Sequence, residues 1–213
     1  MSLLDEQPFP PIPERPSLTN LRDAVGECRA CELYEHATQP VMGEGRAGAR
    51  LMLVGEQPGD REDLEGHPFV GPAGKVLDDA LERAGIDRRD AYVTNVVKHF
   101  RFRQRGQRRI HQTPERIHVA ACRPWLDAEI SVVRPQALVL LGATAAQAIL
   151  GAHIRIGKDR GAAQKSDLAE LVTLTAHPSS ILRAQDDDRA AAMDQLVNDL
   201  HAVGAWMAEH RRR

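Results

Sequence analysis

Four short apolar runs that alternate with helical patterns predict an α/β protein, in which two layers of helices cover a four-stranded, mainly parallel sheet. Each run is nearly continuous in apolar side chains, as strands buried on both faces of a parallel sheet are. Because strand–helix–strand units cross over with one hand, successive strands are expected to lie parallel in one sheet. The four predicted strands are Arg50–Gly55, Tyr92–Val97, Gln136–Gly142 and Glu170–Ala176.

The segments between and around these strands carry helical patterns. Thr113, Pro114 and Glu115 form a helix start, with a capping hydroxyl, a proline in the first turn and an acid near the positive end. The pattern continues to about Val132, and Pro124 within it predicts a kink or a break. The other predicted helices are Leu18–Val25, Ala73–Ala84, Ala145–Leu150 and Arg189–Glu209.

Length and composition indicate one globular domain preceded by a short arm. Residues 1–17 contain five prolines, which fix φ and remove backbone donors, so this segment is predicted to be an extended arm. The remaining residues, 18–213, are enough for one sizeable core. The whole chain has a net charge of −2, so any contact with nucleic acid has to depend on local rather than overall charge.

Hydropathy and cysteine usage point to a cytoplasmic protein with no membrane partner. No apolar run reaches the length of a membrane span, and the N-terminus lacks the basic and apolar segments of a signal peptide. The three cysteines cannot pair into a complete disulfide framework. In a reducing compartment, Cys28 and Cys31, spaced as CxxC, together with the distant Cys122, indicate metal or redox chemistry.

The basic segment Arg101–Gln112 (RFRQRGQRRIHQ) follows the second predicted strand. Its arginines are too many like charges for a core, so they are expected in solvent or against a polyanion. His111 ends the run, where an arginine-rich loop can deliver it to a phosphate backbone as a nucleophile. A solvated loop with an incidental histidine is the alternative. The five arginines are Arg101, Arg103, Arg105, Arg108 and Arg109.

Polar segments follow three of the predicted strands. They are 55–59 (GEQPG), Asn95 with the basic segment, and 177–180 (HPSS). Ligands of open parallel sheets bind at the carboxyl ends of the strands, where these segments are expected to converge. Each can also serve the fold alone, because glycines and prolines shape turns and end strands. Convergence of all three on one edge favours a binding or catalytic site.

The order and spacing of four motifs resemble those of the iron–sulfur (family 4) uracil-DNA glycosylases. The resemblance extends from Cys28 to Arg183, most of the chain, and its motifs are GEQPG, PFVGPAG (68–74), TNVVK (94–98) and HPSSILR (177–183). Two departures from the family pattern are Gln57, which follows the motif's acid, and RRIHQ, which lies in an insertion. Both resemble the UdgX branch, whose members become covalently joined to uracil-containing DNA.

The resemblance also implies a cofactor. Related enzymes hold a [4Fe–4S] cluster with four cysteines, the first two spaced as CxxC, and Cys28, Cys31 and Cys122 match three of them. His99 stands where the fourth cysteine is found, so the resemblance implies three thiolates and one imidazole as ligands. The alternative for His99 is packing near the cluster, and the same four residues can also bind zinc.

Substrate-binding roles follow from the same resemblance. Phe69 is expected to stack on a uracil that is flipped out of the helix or presented by single-stranded DNA, beside the strand end at Gly55. The Asn95 carboxamide can both donate and accept toward the O4 and N3–H edge, and Gln57 can add hydrogen bonds to the base. Without the resemblance, Phe69 would be interpreted as core packing and Asn95 as part of a strand-end turn.

Catalytic roles are implied for three further side chains. His177 is expected at uracil O2, where it stabilises the negative charge of the departing base. Glu56 is expected to favour the developing positive sugar and to orient the attacking group or accept its proton. In an ordinary glycosylase that group is water, whereas here the His111 imidazole can attack C1′ and leave the enzyme covalently on its DNA. Arg101–Arg109 and Ser179 are expected to contact flanking phosphates.

Other functions remain open at this point. One is a turnover uracil-DNA glycosylase of the family 4 type, in which His111 only contacts DNA. Another is a non-enzymatic iron–sulfur protein that binds nucleic acid through the arginine-rich segment. A zinc-stabilised interaction module is a third. Release of uracil distinguishes the enzymes from the binding proteins, and the amount released per protein molecule distinguishes turnover from capture.

Overall fold

In the computed structural model, which describes residues 10–210, four parallel strands form the central sheet and two more form a separate hairpin. The strands are β1 (Leu51–Gly55), β2 (Ala91–Asn95), β3 (Phe102–Arg105), β4 (Arg108–His111), β5 (Ala137–Leu141) and β6 (Leu171–Thr175). The helices are α1 (Leu18–Val25), α2 (Asp60–Glu65), α3 (Pro72–Arg83), α4 (Arg116–Val133), α5 (Ala143–Leu150), α6 (Ile156–Asp159), α7 (Pro178–Arg183) and α8 (Asp186–Glu209). The order across the sheet is β2-β1-β5-β6.

The packing of this sheet confirms the predicted three-layer α/β/α architecture. Met52 and Val54 face a core shared with α4 and α5, whereas Leu51 and Leu53 face a core shared with α3 and α8. Successive side chains of a strand point to opposite faces, so a strand covered on both sides is buried at every position, as β1 is. The continuous apolar runs in the sequence follow from this double coverage.

The register of the strands gathers four strand ends at one edge of the sheet. Gly55 at the end of β1 pairs with Asn95 at the end of β2, and Leu141 on β5 lies opposite Thr175 on β6. All of these pairings are parallel, so the segments that follow the strands leave the sheet on the same side. Any site built from those segments lies at this edge.

The basic segment forms a β-hairpin, so the prediction of a loop is wrong. β3 and β4 pair antiparallel, beginning with Phe102 opposite His111, and a two-residue connection joins them. Gly106 in that connection has φ 59°, which glycine adopts without strain. The charged side chains of this two-stranded ribbon are mostly exposed to water. The segment therefore lacks the apolar run by which the buried strands were predicted.

Helix α4 continues through Pro124 without the predicted break. Proline removes one backbone hydrogen bond from the helix, but the residues around it are firmly packed. Trp125 and Leu126 are fully buried, and Cys122 is nearly so. The helix is therefore held by its tertiary contacts, which compensate locally for the missing hydrogen bond.

The arm predicted over residues 1–17 lies partly outside the described residues, which begin at Pro10 and end before the basic terminus 211–213. Residues 10–17 form neither helix nor strand, and Ile12 packs against a small core that includes Leu21 and Trp125. In the described part of the chain, no helix combines the length and the apolar character needed to cross a bilayer.

Candidate active site

The ends of β1 and β2 approach a phenylalanine ring so closely that only glycine fits between them. A Cβ on Gly55 would lie 2.4 Å from Asn95 Oδ1 and 2.6 Å from Phe69 Cζ, both well inside van der Waals contact. Glycine is the residue that permits such close approach. The structure thus brings together Gly55, Phe69 and Asn95, three residues that the sequence analysis assigned to base binding.

The backbone of Phe69 adopts a left-handed conformation, with φ 58°, that is uncommon for an aromatic residue. Gly74 is required for it, because a Cβ at residue 74 would lie 1.6 Å from the Phe69 carbonyl oxygen. The Phe69 ring centroid lies 6.0 Å from that of His177, with 29° between the ring planes. Backbone strain persists where the surrounding structure fixes it, and here it sets the orientation of an aromatic face at the site.

Asn95 carries a buried acceptor without a partner. Its Oδ1 makes no hydrogen bond to the residues that the structure describes, although the residue is only 2% exposed. An unpaired buried polar atom costs about 1–3 kcal/mol, so almost all such atoms are hydrogen-bonded. Because this oxygen lies next to the Phe69 ring above Gly55, a planar ligand with an N–H group can stack on the ring and satisfy it.

His177 is held as a neutral imidazole with a defined tautomer. Its Nδ1 accepts a hydrogen bond from the Ser179 backbone N–H at 3.1 Å, so the ring proton lies on Nε2. Burial lowers the pKa of His177 to about 4, which keeps the ring uncharged near neutral pH. Ser179 Oγ also lies 2.8 Å from Nδ1, so Ser179, expected at the DNA, orients His177. The Nε2–H group remains as a donor.

Glu56, directly after β1, lies between a histidine and a threonine. Its Oε1 is 3.3 Å from Nε2 of His111 on β4, and its Oε2 accepts the hydroxyl of Thr144 in the first turn of α5. Burial raises the pKa of Glu56, but the contacts with His111 and Thr144 outweigh it and bring the pKa below its ordinary value. The carboxyl group is therefore ionised, with each oxygen directed to a separate partner.

Gln57 connects this strand end to the base of the hairpin. Its Nε2 donates to the carbonyl oxygens of Arg101 at 3.2 Å and Gln112 at 3.0 Å, and its Oε1 accepts from Arg101 N–H at 2.9 Å. Arg101 and Gln112 flank β3 and β4, so one carboxamide spans both strands of the ribbon. The side chain expected to contact the base is thus engaged in placing the hairpin that carries His111.

Arg109 anchors the hairpin on its other side and does not lie free in solvent. Its guanidinium pairs with Asp60 and Asp63 on α2, both at 2.5 Å, and only 16% of the side chain is exposed. It also lies over the Phe102 ring, 5.2 Å from the centroid. The sequence did not predict Asp60 and Asp63 as partners of Arg109. The sequence feature that indicates them is the acid-rich stretch after β1, and the fold shows that this stretch lies against the hairpin.

The remaining arginines divide into an engaged one and an exposed group. Arg101 donates to the Thr113 carbonyl oxygen and pairs with Glu115. The other three are exposed, and within residues 10–210 the structure gives them no carboxylate partner. This exposed group, which keeps its charge available to a polyanion, comprises Arg103, Arg105 and Arg108.

Cys122 lies within electrostatic reach of Cys28 and Cys31, although it is distant from both in sequence. Cys28 Sγ accepts the indole N–H of Trp125 at 3.3 Å, and Cys122 Sγ lies 3.5 Å from the backbone N–H of Lys98. Burial raises the pKa of Cys122 to about 12 and also raises that of Cys31. Thiolates in this place need a bound cation, and N–H donors directed at sulfur suit iron–sulfur ligation.

His99, the fourth predicted ligand, is 4% exposed. Burial lowers its pKa to about 4, and its charged neighbours are Asp63 and Arg29, the latter next to Cys28. A neutral imidazole is the form that ligates metals. Among the described residues, no three His, Cys, Asp or Glu side chains converge on the position of a single metal ion. The donor set of three thiols and an imidazole fits a multi-iron cluster in its chemistry.

Comparison with known proteins gives the family of this chain. The sequence pattern described as "Uracil DNA glycosylase superfamily" matches residues 42–201. The chain is 35% identical over 173 residues to a type-4 uracil-DNA glycosylase of Pyrobaculum aerophilum, covering 78% of this chain and 85% of the relative. It is 39% identical over 167 residues to the type-4 enzyme of Thermotoga maritima, covering 78% and 83%.

A third relative, the type-4 uracil-DNA glycosylase of Archaeoglobus fulgidus, is 40% identical over 133 residues, covering 62% of this chain and 63% of the relative. The superfamily pattern extends from before β1 into α8, and so includes all four strands of the central sheet and the segments that follow them. The enzyme class expected from the sequence, cleavage of an N-glycosidic bond, is confirmed by these matches. The chain belongs to the uracil-DNA glycosylase superfamily.

Proposed function

We propose that this protein excises uracil from DNA and then bonds covalently to the exposed C1′ through His111. The observation that carries the proposal is the contact of 3.3 Å between His111 Nε2 and Glu56 Oε1. It places an imidazole next to the carboxylate that follows β1, at the edge where Asn95 and Phe69 form the base pocket. Such proximity of a nucleophile and a base is the arrangement required for covalent catalysis.

Recognition of uracil is supported by the unpaired atoms of the pocket. The buried Asn95 Oδ1 is an acceptor that the N3–H of uracil can satisfy, whereas cytosine presents an unprotonated N3 at that position. The Phe69 ring, 7% exposed and packed on the core, lies beside this oxygen, where we assign it to stacking on the base. The Nε2–H of His177 is a neutral donor for uracil O2, which gains negative charge as the base departs.

Base release and capture follow as a balanced displacement at C1′. The C1′–N1 bond breaks with its electron pair on the uracil, and Glu56 stabilises the positive charge that develops on the sugar. As the bond between His111 Nε2 and C1′ forms, the proton on Nε2 passes to Glu56 Oε1, so that no free imidazolate is produced. The products are a uracil anion, a protonated Glu56 and an N-linked imidazole on the sugar.

The hairpin contacts support His111 in this role. A nucleophile has to lie within a few tenths of an ångström of its attack position, and a mobile ribbon would not hold it there. Gln57 fixes the base of the ribbon, and Arg109 fixes β4 at the residue two before His111. An incidental surface histidine would need neither contact.

DNA contact by the hairpin is assigned to its exposed arginines. Arg103, Arg105 and Arg108 are exposed on the ribbon that carries His111, on the face opposite that histidine, so we assign them to phosphates along the outer side of the hairpin. Such contacts are salt-dependent and largely independent of sequence. Arg101 and Arg109, which the sequence analysis placed with them, are assigned to the placement of the hairpin.

We further propose that Cys28, Cys31, His99 and Cys122 hold a [4Fe–4S] cluster. We assign this cluster a structural role and no chemistry at C1′. Its ligands lie between α1 and β1, between β2 and β3, and in α4. It would therefore tie both flanks of the hairpin to the N-terminal segment. Native protein should be brown and contain about four iron and four sulfide per chain. Zinc alone in native protein would refute this assignment.

The covalent step is tested by incubating the protein with a uracil-containing single-stranded oligonucleotide and measuring the mass of the denatured product. Wild type should gain the mass of the oligonucleotide minus uracil, at no more than one per protein molecule. His111→Ser should give no adduct but still release uracil, because the pocket and Glu56 are intact. An adduct in His111→Ser would remove His111 from the nucleophile role, and uracil in excess of wild-type protein would show a turnover enzyme.

A further inference from the structure

We infer that the buried ion pair of Lys98 and Glu129 is a positioning device for base recognition, which fixes the backbone of Asn95 and thereby aims its carboxamide. The inference rests on the proposed function, in which Asn95 binds the base edge. Both side chains of the pair are 0% exposed, and Lys98 Nζ lies 2.6 Å from Glu129 Oε2. In a buried ion pair, the cost of removing both charges from water offsets their attraction. A contribution to stability therefore does not by itself explain the presence of this pair.

The ammonium group of Lys98 makes its contacts at the end of β2. Nζ donates to the Asn95 carbonyl oxygen at 2.6 Å, to Thr94 Oγ1 at 2.9 Å and to Glu129 Oε2. These acceptors use all three of its protons. The Asn95 carbonyl belongs to the same residue whose Oδ1 is unpaired in the pocket, so one end of Asn95 is fixed and the other is free for a ligand.

Glu129, on α4, is equally saturated. Its Oε1 accepts from the Tyr92 hydroxyl at 2.8 Å, from the Gly43 backbone N–H at 2.9 Å and from Thr94 Oγ1 at 3.0 Å. Tyr92 and Thr94 lie on β2, so the Glu129 carboxylate attaches that strand to helix α4. A fully satisfied buried network of this kind specifies one arrangement of the groups it contacts.

The pair acts on the pocket through the backbone, because the direction of the Asn95 side chain depends on φ and ψ at the strand end. Lys98 follows Asn95 by three residues, and its own backbone N–H lies 3.5 Å from Cys122 Sγ. The side chain thus reaches back and closes a short loop behind Asn95. His111 is held by separate contacts through Gln57, so the capture step does not depend on this loop.

The experiment compares single and double replacements of the pair. Lys98→Met or Glu129→Gln alone leaves a buried charge without a partner and is expected to lower the Tm strongly. The double variant K98M/E129Q removes both charges and keeps an acceptor at residue 129, so it is expected to fold. A matched control is Leu200→Ala, which destabilises the core layer on the face of the sheet opposite Glu129 and α4.

The inhibition constant of free uracil for uracil release measures binding in the pocket. The number of protein–DNA adducts formed per uracil released measures the action of His111. In the double variant, the inhibition constant should rise about fivefold to tenfold, the size of one net hydrogen bond, whereas the cross-linked fraction should match wild type. The control should change neither. A folded double variant with an inhibition constant within twofold of wild type, or an equal rise in Leu200→Ala, overturns the inference. Wild type that releases no uracil refutes the proposed function instead.

Discussion

Replacing Gln57 by leucine removes the contact that joins the end of β1 to both strands of the hairpin. Leucine nearly preserves the volume of glutamine but can neither donate to the Arg101 and Gln112 carbonyl oxygens nor accept from the Arg101 N–H. The ion pairs of Arg109 remain, so the hairpin stays attached on its other side. We expect the ribbon to remain folded while His111 samples positions away from Glu56.

The size of the effect follows from the number of hydrogen bonds. Three neutral hydrogen bonds contribute about 1 kcal/mol each in net terms, so the constraint on the hairpin weakens by at most about 3 kcal/mol. Since about 1.4 kcal/mol corresponds to a factor of ten in rate, cross-linking should slow by about 10-fold to 100-fold. Release of uracil depends on the pocket and on Glu56, so it should change by less than about threefold.

The assay measures uracil release and adduct formation in the same single-turnover reaction, so that the two rates are compared directly. A matched control is Gln164→Leu, which removes a carboxamide that also donates to two carbonyl oxygens, those of Asp159 and Ala162, near β6. That control should leave both rates at the wild-type level. Equal slowing of release and cross-linking in Gln57→Leu would show that Gln57 acts on the base pocket, and would refute the assignment to the hairpin.

Three further predictions concern the carboxylate, the exposed arginines and the buried imidazole. Glu56→Gln should slow uracil release on the order of 100-fold or more, because it removes the negative charge opposite the developing positive sugar, and unchanged release in a single-turnover assay would exclude that role. Replacing Arg103, Arg105 and Arg108 together by glutamine should weaken binding of single-stranded DNA and make the slope of log K against log salt less negative by about 2, as three lost phosphate contacts require; an unchanged slope in anisotropy titrations would place DNA elsewhere. The pKa of His177 falls from 6.5 in the unfolded chain to about 4 in the fold, so its contribution to stability is complete above pH 6.5 and is lost as the pH falls toward 4. Urea unfolding from pH 7 to 4 should therefore show a shallower loss of stability in His177→Gln, and identical slopes would contradict the burial argument.

The sheet could be predicted because buried parallel strands have a simple signature. Strands covered by helices on both faces are continuous apolar runs, and the runs that end at Gly55 and Gly142 coincide closely with β1 and β5. The carboxyl ends of parallel strands share one edge, so the location of the site followed from the same pattern. Neither conclusion needed any contact distant in sequence.

The hairpin could not be predicted in the same way, because its structure depends on contacts far along the chain. Gln57 lies 44 residues before Arg101 and 55 before Gln112, and nothing in a single sequence pairs them. The charge of Arg109 suggested solvent or DNA, whereas its two carboxylate partners on α2 become visible only in the fold. A glycine followed by one residue between two four-residue strands was the local signal that was available.

The role of Thr144 was also outside the reach of sequence reasoning. Its hydroxyl donates to Glu56 Oε2 from 88 residues away, and a threonine in the first turn of a helix is ordinary. What distinguishes it is its place directly after β5, next to β1 in the sheet. Strand order, which the chain order of the motifs does not reveal, decides which strand-end residues touch.

The hairpin is joined to the domain by side chains, since its backbone forms a sheet of its own, separate from the central one. Under the proposed function, the residue that traps the DNA can therefore be altered by evolution or engineering without redesign of the excision chemistry. Loosening the attachment would produce an enzyme that cuts and departs, whereas tightening it would produce a reagent that tags each lesion once. In the second case the number of lesions marked in a cell equals the number of protein molecules supplied, and abundance takes the place of catalytic rate.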